Sequence, residues 1–100
     1  MKTVKAARRP RAGLFDKHLG QKIRELRHQR GISQTELGGA VGISFQQIQK
    51  YESGGNRVSA GHLWLISRFF DVPIASMFDG ANERMFRLGP NSKRAPKAKQ

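Results

Sequence analysis

Residues 33–54 carry two helix-start signatures on either side of a glycine, and no other stretch constrains the fold as much. Ser33 stands three positions before Glu36. In such a capping box the hydroxyl and the carboxylate each satisfy a backbone amide that a helix start leaves open. Ser44 stands in the same relation to Gln47. Between the two boxes the apolar positions Leu37, Ala40 and Val41 run for about two turns and stop at Gly42. Gly42 supplies the positive φ of a sharp inter-helix turn. Gly38 leaves room for the following helix to cross closely, and Leu37, Val41, Ile43, Ile48 and Tyr51 are spaced to clamp both helices to the rest of the domain.

The flanks are helical too. Leu19, Ile23 and Leu26 recur at i, i+4 and i+7, with Asp16 as the N-cap and Gly31 as the left-handed end. Gly54-Gly55-Asn56 closes the helix that Ser44 starts. Ser59 caps a further helix over Ala60–Phe70, and Pro73 precedes a short last one near Ile74–Phe78. No segment alternates with period 2, so the expected fold is all-α, a compact five-helix domain. Two short helices set at a steep angle across a glycine turn form a helix-turn-helix.

One hundred residues hold one core, and the formal net charge of +12 favours an anionic partner. Nucleic acid is the first candidate, an anionic membrane surface the second. The chain has no cysteine, which excludes a disulfide framework and a cysteine-ligated metal site. No apolar run reaches the ~20 residues that span a bilayer, and no apolar segment of signal-peptide length follows the basic N-terminus. A soluble, cytoplasmic protein with no membrane partner is expected. The charge concentrates at the ends: five basic residues and no acid in 1–13, six basic residues and one acid in 81–100. Residues 14–80, with eight basic and six acidic residues, read as a nearly neutral globule between two disordered basic arms. Each arm is either a solvated tail or a phosphate contact. The C-terminal arm is partly apolar over 85–88.

With Ile48 and Tyr51 turned inward, the outer face of the second helix of the pair shows Phe45, Gln46, Gln49 and Lys50. Gln pairs bidentately with adenine and Lys reaches guanine, and an acid-free face suits a helix beside phosphates. Phe45 either touches a thymine methyl or tucks back onto the domain. No carboxylate pair, nucleophile–base pairing or metal-ligand spacing stands out, and His18, His28 and His62 are scattered. An enzyme is not expected, nor any cofactor or metal.

The segments GISQTELG, VGIS, IQKYE, NRVS and LISRFFDVP are the most specific pieces of a stretch, Leu19–Phe78, that resembles the phage-repressor/Cro-type (XRE-like) helix-turn-helix domain of bacterial transcriptional regulators. The resemblance implies a five-helix, repressor-like domain that binds operator DNA as a homodimer, in the bacterial cytoplasm and on the nucleoid. By position, it implies base contacts from Phe45, Gln46, Gln49 and Lys50. It implies phosphate contacts from Gln34, Ser44, Asn56 and Arg57, and an internal ion pair between Arg27 and Glu52. Phe45 and the adjoining Gly38 and Gly39 depart from the common pattern. The dimer is expected through Leu65 and Phe69, which lie off the Leu63–Ile66–Phe70 stripe, together with Met85 and Phe86. The leading reading is a sequence-specific repressor of transcription. An antitoxin that also binds a toxin protein, and a protein-bridging coactivator, are the alternatives, so a protein partner stays open.

Overall fold

The computed structural model describes residues 13–86, 89–91 and 94–98. Within them lie four α-helices, α1 (Leu14–Arg30), α2 (Gln34–Val41), α3 (Phe45–Ser53) and α4 (Ala60–Phe70), followed by 3₁₀ helices over Ile74–Phe78 and Glu83–Met85. The N-terminal basic arm, except Gly13, lies outside the described residues, as do Arg87, Leu88, Lys93 and Lys99.

The helix starts follow the serine signatures. Ser33 Oγ accepts from Glu36 N–H while the Glu36 carboxylate accepts from Ser33 N–H. Ser59 Oγ accepts from His62 N–H at 3.1 Å. At Ser44 one half of the box forms, Oγ accepting from Gln47 N–H at 3.2 Å. Gly42 takes φ +76 and ends α2, the left-handed geometry that its turn requires.

Two expectations are corrected. Asp16 is not the N-cap of α1. The helix begins earlier, behind Gly13, and the Asp16 carboxylate reaches back to accept from Gly13 N–H at 2.7 Å. An acid at the third helical position satisfies an open amide and complements the helix dipole as well as a capping acid does, so the residue type alone does not separate the two places. The fifth helix is 3₁₀ rather than α. Its five residues are bounded by Pro73 at the cap, and Ser76 turns both its N–H and its Oγ to the Pro73 carbonyl, a tight i+3 closure. The C-terminal arm also keeps order beyond its expected boundary, since Asn82 caps the Glu83–Met85 turn and Phe86 stacks on Phe15 with ring centroids 4.9 Å apart.

One core joins the elements. Leu19 and Ile23 of α1, Leu37 of α2, Ile43 of the turn, Ile48 and Tyr51 of α3, Leu63, Ile66 and Phe70 of α4, and Met77 are all buried. Two close backbone approaches set the helix angles. A Cβ on Gly38 would run into the Ile43 carbonyl oxygen, which is why α3 can cross next to α2. A Cβ on Gly20 would run into the Tyr51 carbonyl oxygen and lie 2.8 Å from that of Glu52, so α1 and the end of α3 meet at backbone contact.

Candidate nucleic-acid interface

α3 is amphipathic in a way that decides which face is available. Ile48, Tyr51 and Glu52 are buried, while Ser44, Phe45, Gln46, Gln49 and Lys50 are exposed. Among the described residues the side chains of Gln46, Gln49 and Lys50 make no hydrogen bond or ion pair within the domain, and no acid shares their face. Phe45 is 40% exposed, so its ring is presented at the start of the helix rather than tucked into the core.

The inner face is fixed by a polar network. Arg27 Nε donates to Glu52 Oε2 at 2.7 Å and Arg27 Nη2 to Glu52 Oε1 at 2.9 Å, a two-pronged pair between α1 and α3. Arg27 Nη1 also donates to the Ile32 carbonyl at 3.0 Å. The Glu52 hydrogen bond raises the Arg27 pKa above its ordinary value, against the opposing effect of burial and with the help of the Glu52 charge. Gln34, the first residue of α2 and half-buried, donates through Nε2 to Glu52 Oε1 at 3.0 Å. Glu52 therefore ties together all three helices around the candidate interface. At the far end of α3 the Tyr51 hydroxyl lies 2.6 Å from His62 Nδ1, which links the helix to the start of α4.

The loop after α3 returns to α1. Asn56 is half-buried and its backbone N–H reaches the Lys50 carbonyl, while Arg57 is exposed with Nε 3.6 Å from Asp16 Oδ2. The structure thus brings Ser44, Phe45, Gln46, Gln49 and Lys50 onto one surface, joins Gln34 to it through Glu52, and tethers Arg57 to the first turn of α1. The four residues expected at a dimer face differ in exposure. Leu65 and Phe69 are 38% and 40% exposed on α4, Met85 is half-buried, and Phe86 joins Phe15 and Phe78 in an aromatic stack.

Sequence reasoning missed the Gln34–Glu52 hydrogen bond and the Gly20 contact. Gly20 stands one residue after Leu19 and three before Ile23, a spacing that carries a signal for a buried position, but nothing local distinguishes a packing glycine from a neutral one. Among the described residues no group of His, Cys, Asp and Glu could hold a metal ion, and no helix is long and apolar enough to cross a membrane.

Residues 23–76 match the Helix-turn-helix family HTH_3. An uncharacterized HTH-type transcriptional regulator of Sinorhizobium fredii, y4wC, is 49% identical over 72% of this chain and 49% of its own length. A second, from Sinorhizobium medicae, is 50% identical over 67% of this chain and 48% of its own. Among solved structures, the restriction-modification controller protein C.AhdI of Aeromonas hydrophila superposes with a TM-score of 0.61 at 27% identity, covering 63% of this chain and 96% of that one. The clp gene regulator ClgR of C. glutamicum superposes with a TM-score of 0.62 at 25% identity, covering 65% and 84%. A packed helix pair with a glycine turn and a polar outer face, matched across more than half its length, places the chain in the XRE-type helix-turn-helix family. It spans about half the length of the curated relatives it matches.

Proposed function

We propose that the chain is a sequence-specific double-stranded-DNA-binding regulator of transcription, a repressor, that inserts α3 into the major groove. The observation that carries this reading is the division of α3, whose inner face is locked by Ile48, Tyr51 and the Arg27–Glu52 pair while Phe45, Gln46, Gln49 and Lys50 project outward. A helix held this firmly loses little further freedom on binding, and its exposed groups match base edges. Gln46 and Lys50 take the base contacts, with Gln49 and the Phe45 ring beside them. Gln34, Ser44, Asn56 and Arg57 flank the helix and take phosphates, which fix its register. Gln34 keeps a second amide hydrogen beyond the one given to Glu52, and Ser44 keeps its hydroxyl hydrogen.

The globule of residues 14–80 is the DNA-binding unit, and the basic arms on either side add affinity through phosphates. The active form is a homodimer through Leu65 and Phe69, on the bacterial nucleoid in the cytoplasm. Similarity to regulators named for their helix-turn-helix supports the DNA partner.

Selection of bound sequences from a random duplex pool, at stated salt, tests the reading. An enriched consensus is expected. Binding without enrichment overturns sequence-specific readout, and no binding to duplex returns the domain to the protein-bridging alternative.

A further inference from the structure

Beyond the residues of the helix-turn-helix pair, one face of α1 carries Lys17, Gln21, Arg24 and His28, spaced at i, i+4, i+7 and i+11. That spacing places them in a single row along the helix. The row lines an open cleft of about 510 Å³ whose other walls are Glu25, Glu52 and Ser53. We infer that this row is a second phosphate cradle that grips the DNA backbone beside Ser53 and the end of α3.

Three observations carry the assignment. The cleft is continuous with the proposed base-reading face, because Ser53 follows Gln49 and Lys50 by four and three positions and is exposed like them. Lys17 is seated at the closing turn of α3, where a Cβ on Gly54 would fall 2.6 Å from Lys17 Cγ. Its stem is thus packed against the turn while the residue as a whole stays exposed. The charge balance of the cleft favours an anion even though two carboxylates line it. Glu52 is neutralised by Arg27 at 2.7 Å, which leaves Glu25 as the one acid opposing Lys17 and Arg24.

The geometry selects phosphate rather than base edges. The walls of a major groove are backbone, and a surface beyond the end of a groove-bound helix meets that wall. Lys and Arg then offer charge, while Gln21 and the His28 ring offer N–H donors; the Ser53 hydroxyl, which donates to the Lys50 carbonyl at 3.1 Å, borders the cleft without a hydrogen to give. The inference rests on α3 being the groove helix.

The test is fluorescence-anisotropy titration of the full chain against its selected duplex over a salt series. The double variant Lys17→Gln, Arg24→Gln keeps the inner carbons of both stems and removes two cations. Its plot of log K against log salt should be shallower by about 1.8 for each protomer bound, at about 0.9 for each phosphate released, with the consensus unchanged. Glu25→Gln should bind more tightly than the parent at low salt. A control, Lys22→Gln with Arg68→Gln, removes the same charge from residues of the globule that do not line the cleft, and its slope should change by much less. An unchanged slope in the Lys17, Arg24 variant, or an equal fall in the control, overturns the cradle. So does a changed consensus. If the parent selects no duplex, the reading of α3 fails first and the cradle falls with it, whereas a parent that binds with an unaltered slope in the variant removes the cradle alone.

Discussion

The carboxylate of Glu52 near the end of α3 is shared between Arg27 of α1, at 2.7 and 2.9 Å, and Gln34 at the start of α2, at 3.0 Å. One side chain therefore sets the mutual position of three helices. The Arg27 and Glu52 side chains are only 11% and 4% exposed, so neither charge has water to fall back on. The pair is better understood as a positioning device than as a source of net stability, because desolvation offsets much of its Coulombic gain.

Glu52→Ala should cost about 3 kcal/mol or more, since it strands the Arg27 guanidinium in a buried site. In a domain of this size that corresponds to a melting temperature lower by about 4–8 °C for each kcal/mol. A melting temperature within a degree or two of the parent would mean that the pair contributes nothing. The raised Arg27 pKa adds no pH dependence near neutrality. A group whose folded pKa is raised contributes stability below its unfolded value and loses it only as pH climbs through the folded one, here far into the alkaline range.

The adjoining glycines of α2 should respond in opposite directions to the same substitution. A Cβ at Gly38 meets the Ile43 carbonyl, backbone that cannot move without opening the turn, so Gly38→Ala should destabilise and loosen the α2–α3 angle. At Gly39 nothing lies within 4 Å, and the position is exposed on a helix. Gly39→Ala should stabilise by about 0.5–1 kcal/mol, the helix-propensity difference. Chemical denaturation of the two variants checks both signs, and equal shifts would contradict the packing account.

How much of this is legible in the sequence depends on the range of each interaction. Ser33, Ser44 and Ser59 announce helix starts because a cap bonds to residues three positions away, and Gly42 announces its turn because φ is a local property. Asp16 misleads for the same reason, since a cap and a third-position acid use one chemistry on neighbouring sites. Phe45, Gln46, Gln49 and Lys50 are recognisable as an outer face once Ile48 and Tyr51 are placed inward. The Gln34–Glu52 bond and the Gly20 contact join residues that no periodicity relates, and only the folded chain brings them together. The cationic row of α1 is periodic in the sequence, but a row of charge on a helix is ordinarily solvated, and what marks this one is its cleft beside Ser53.

Gln46→Ala and Lys50→Ala should each weaken binding to the selected duplex by about 1–3 kcal/mol, the value of a bidentate base contact. Binding to random duplex should change far less. The comparison is made at one salt concentration, because Lys50→Ala also removes a charge. Equal losses on selected and random DNA would move both residues from bases to phosphates.

Self-association and stability should separate across the residues first grouped as one face. Leu65 and Phe69 are exposed on α4, one turn apart, with Trp64 exposed beside them. In the proposed dimer a second copy covers this apolar patch, and Phe69→Glu, which places a charge in it, should give a monomer with an intact fold. Phe86 is 48% exposed, but its ring lies on Phe15, which also stacks on Phe78 at 5.5 Å. Phe86→Ala should therefore lower stability by about 1–2 kcal/mol through the lost aromatic contact and leave the dimer unchanged. Sedimentation velocity on the parent and both variants, with thermal melts on the same samples, reads the two effects apart. A parent that stays monomeric at concentrations on the order of tens of micromolar, free and on DNA, would refute the dimer. A Phe86→Ala protein that dissociates without losing stability would place Phe86 in the interface and not in the fold.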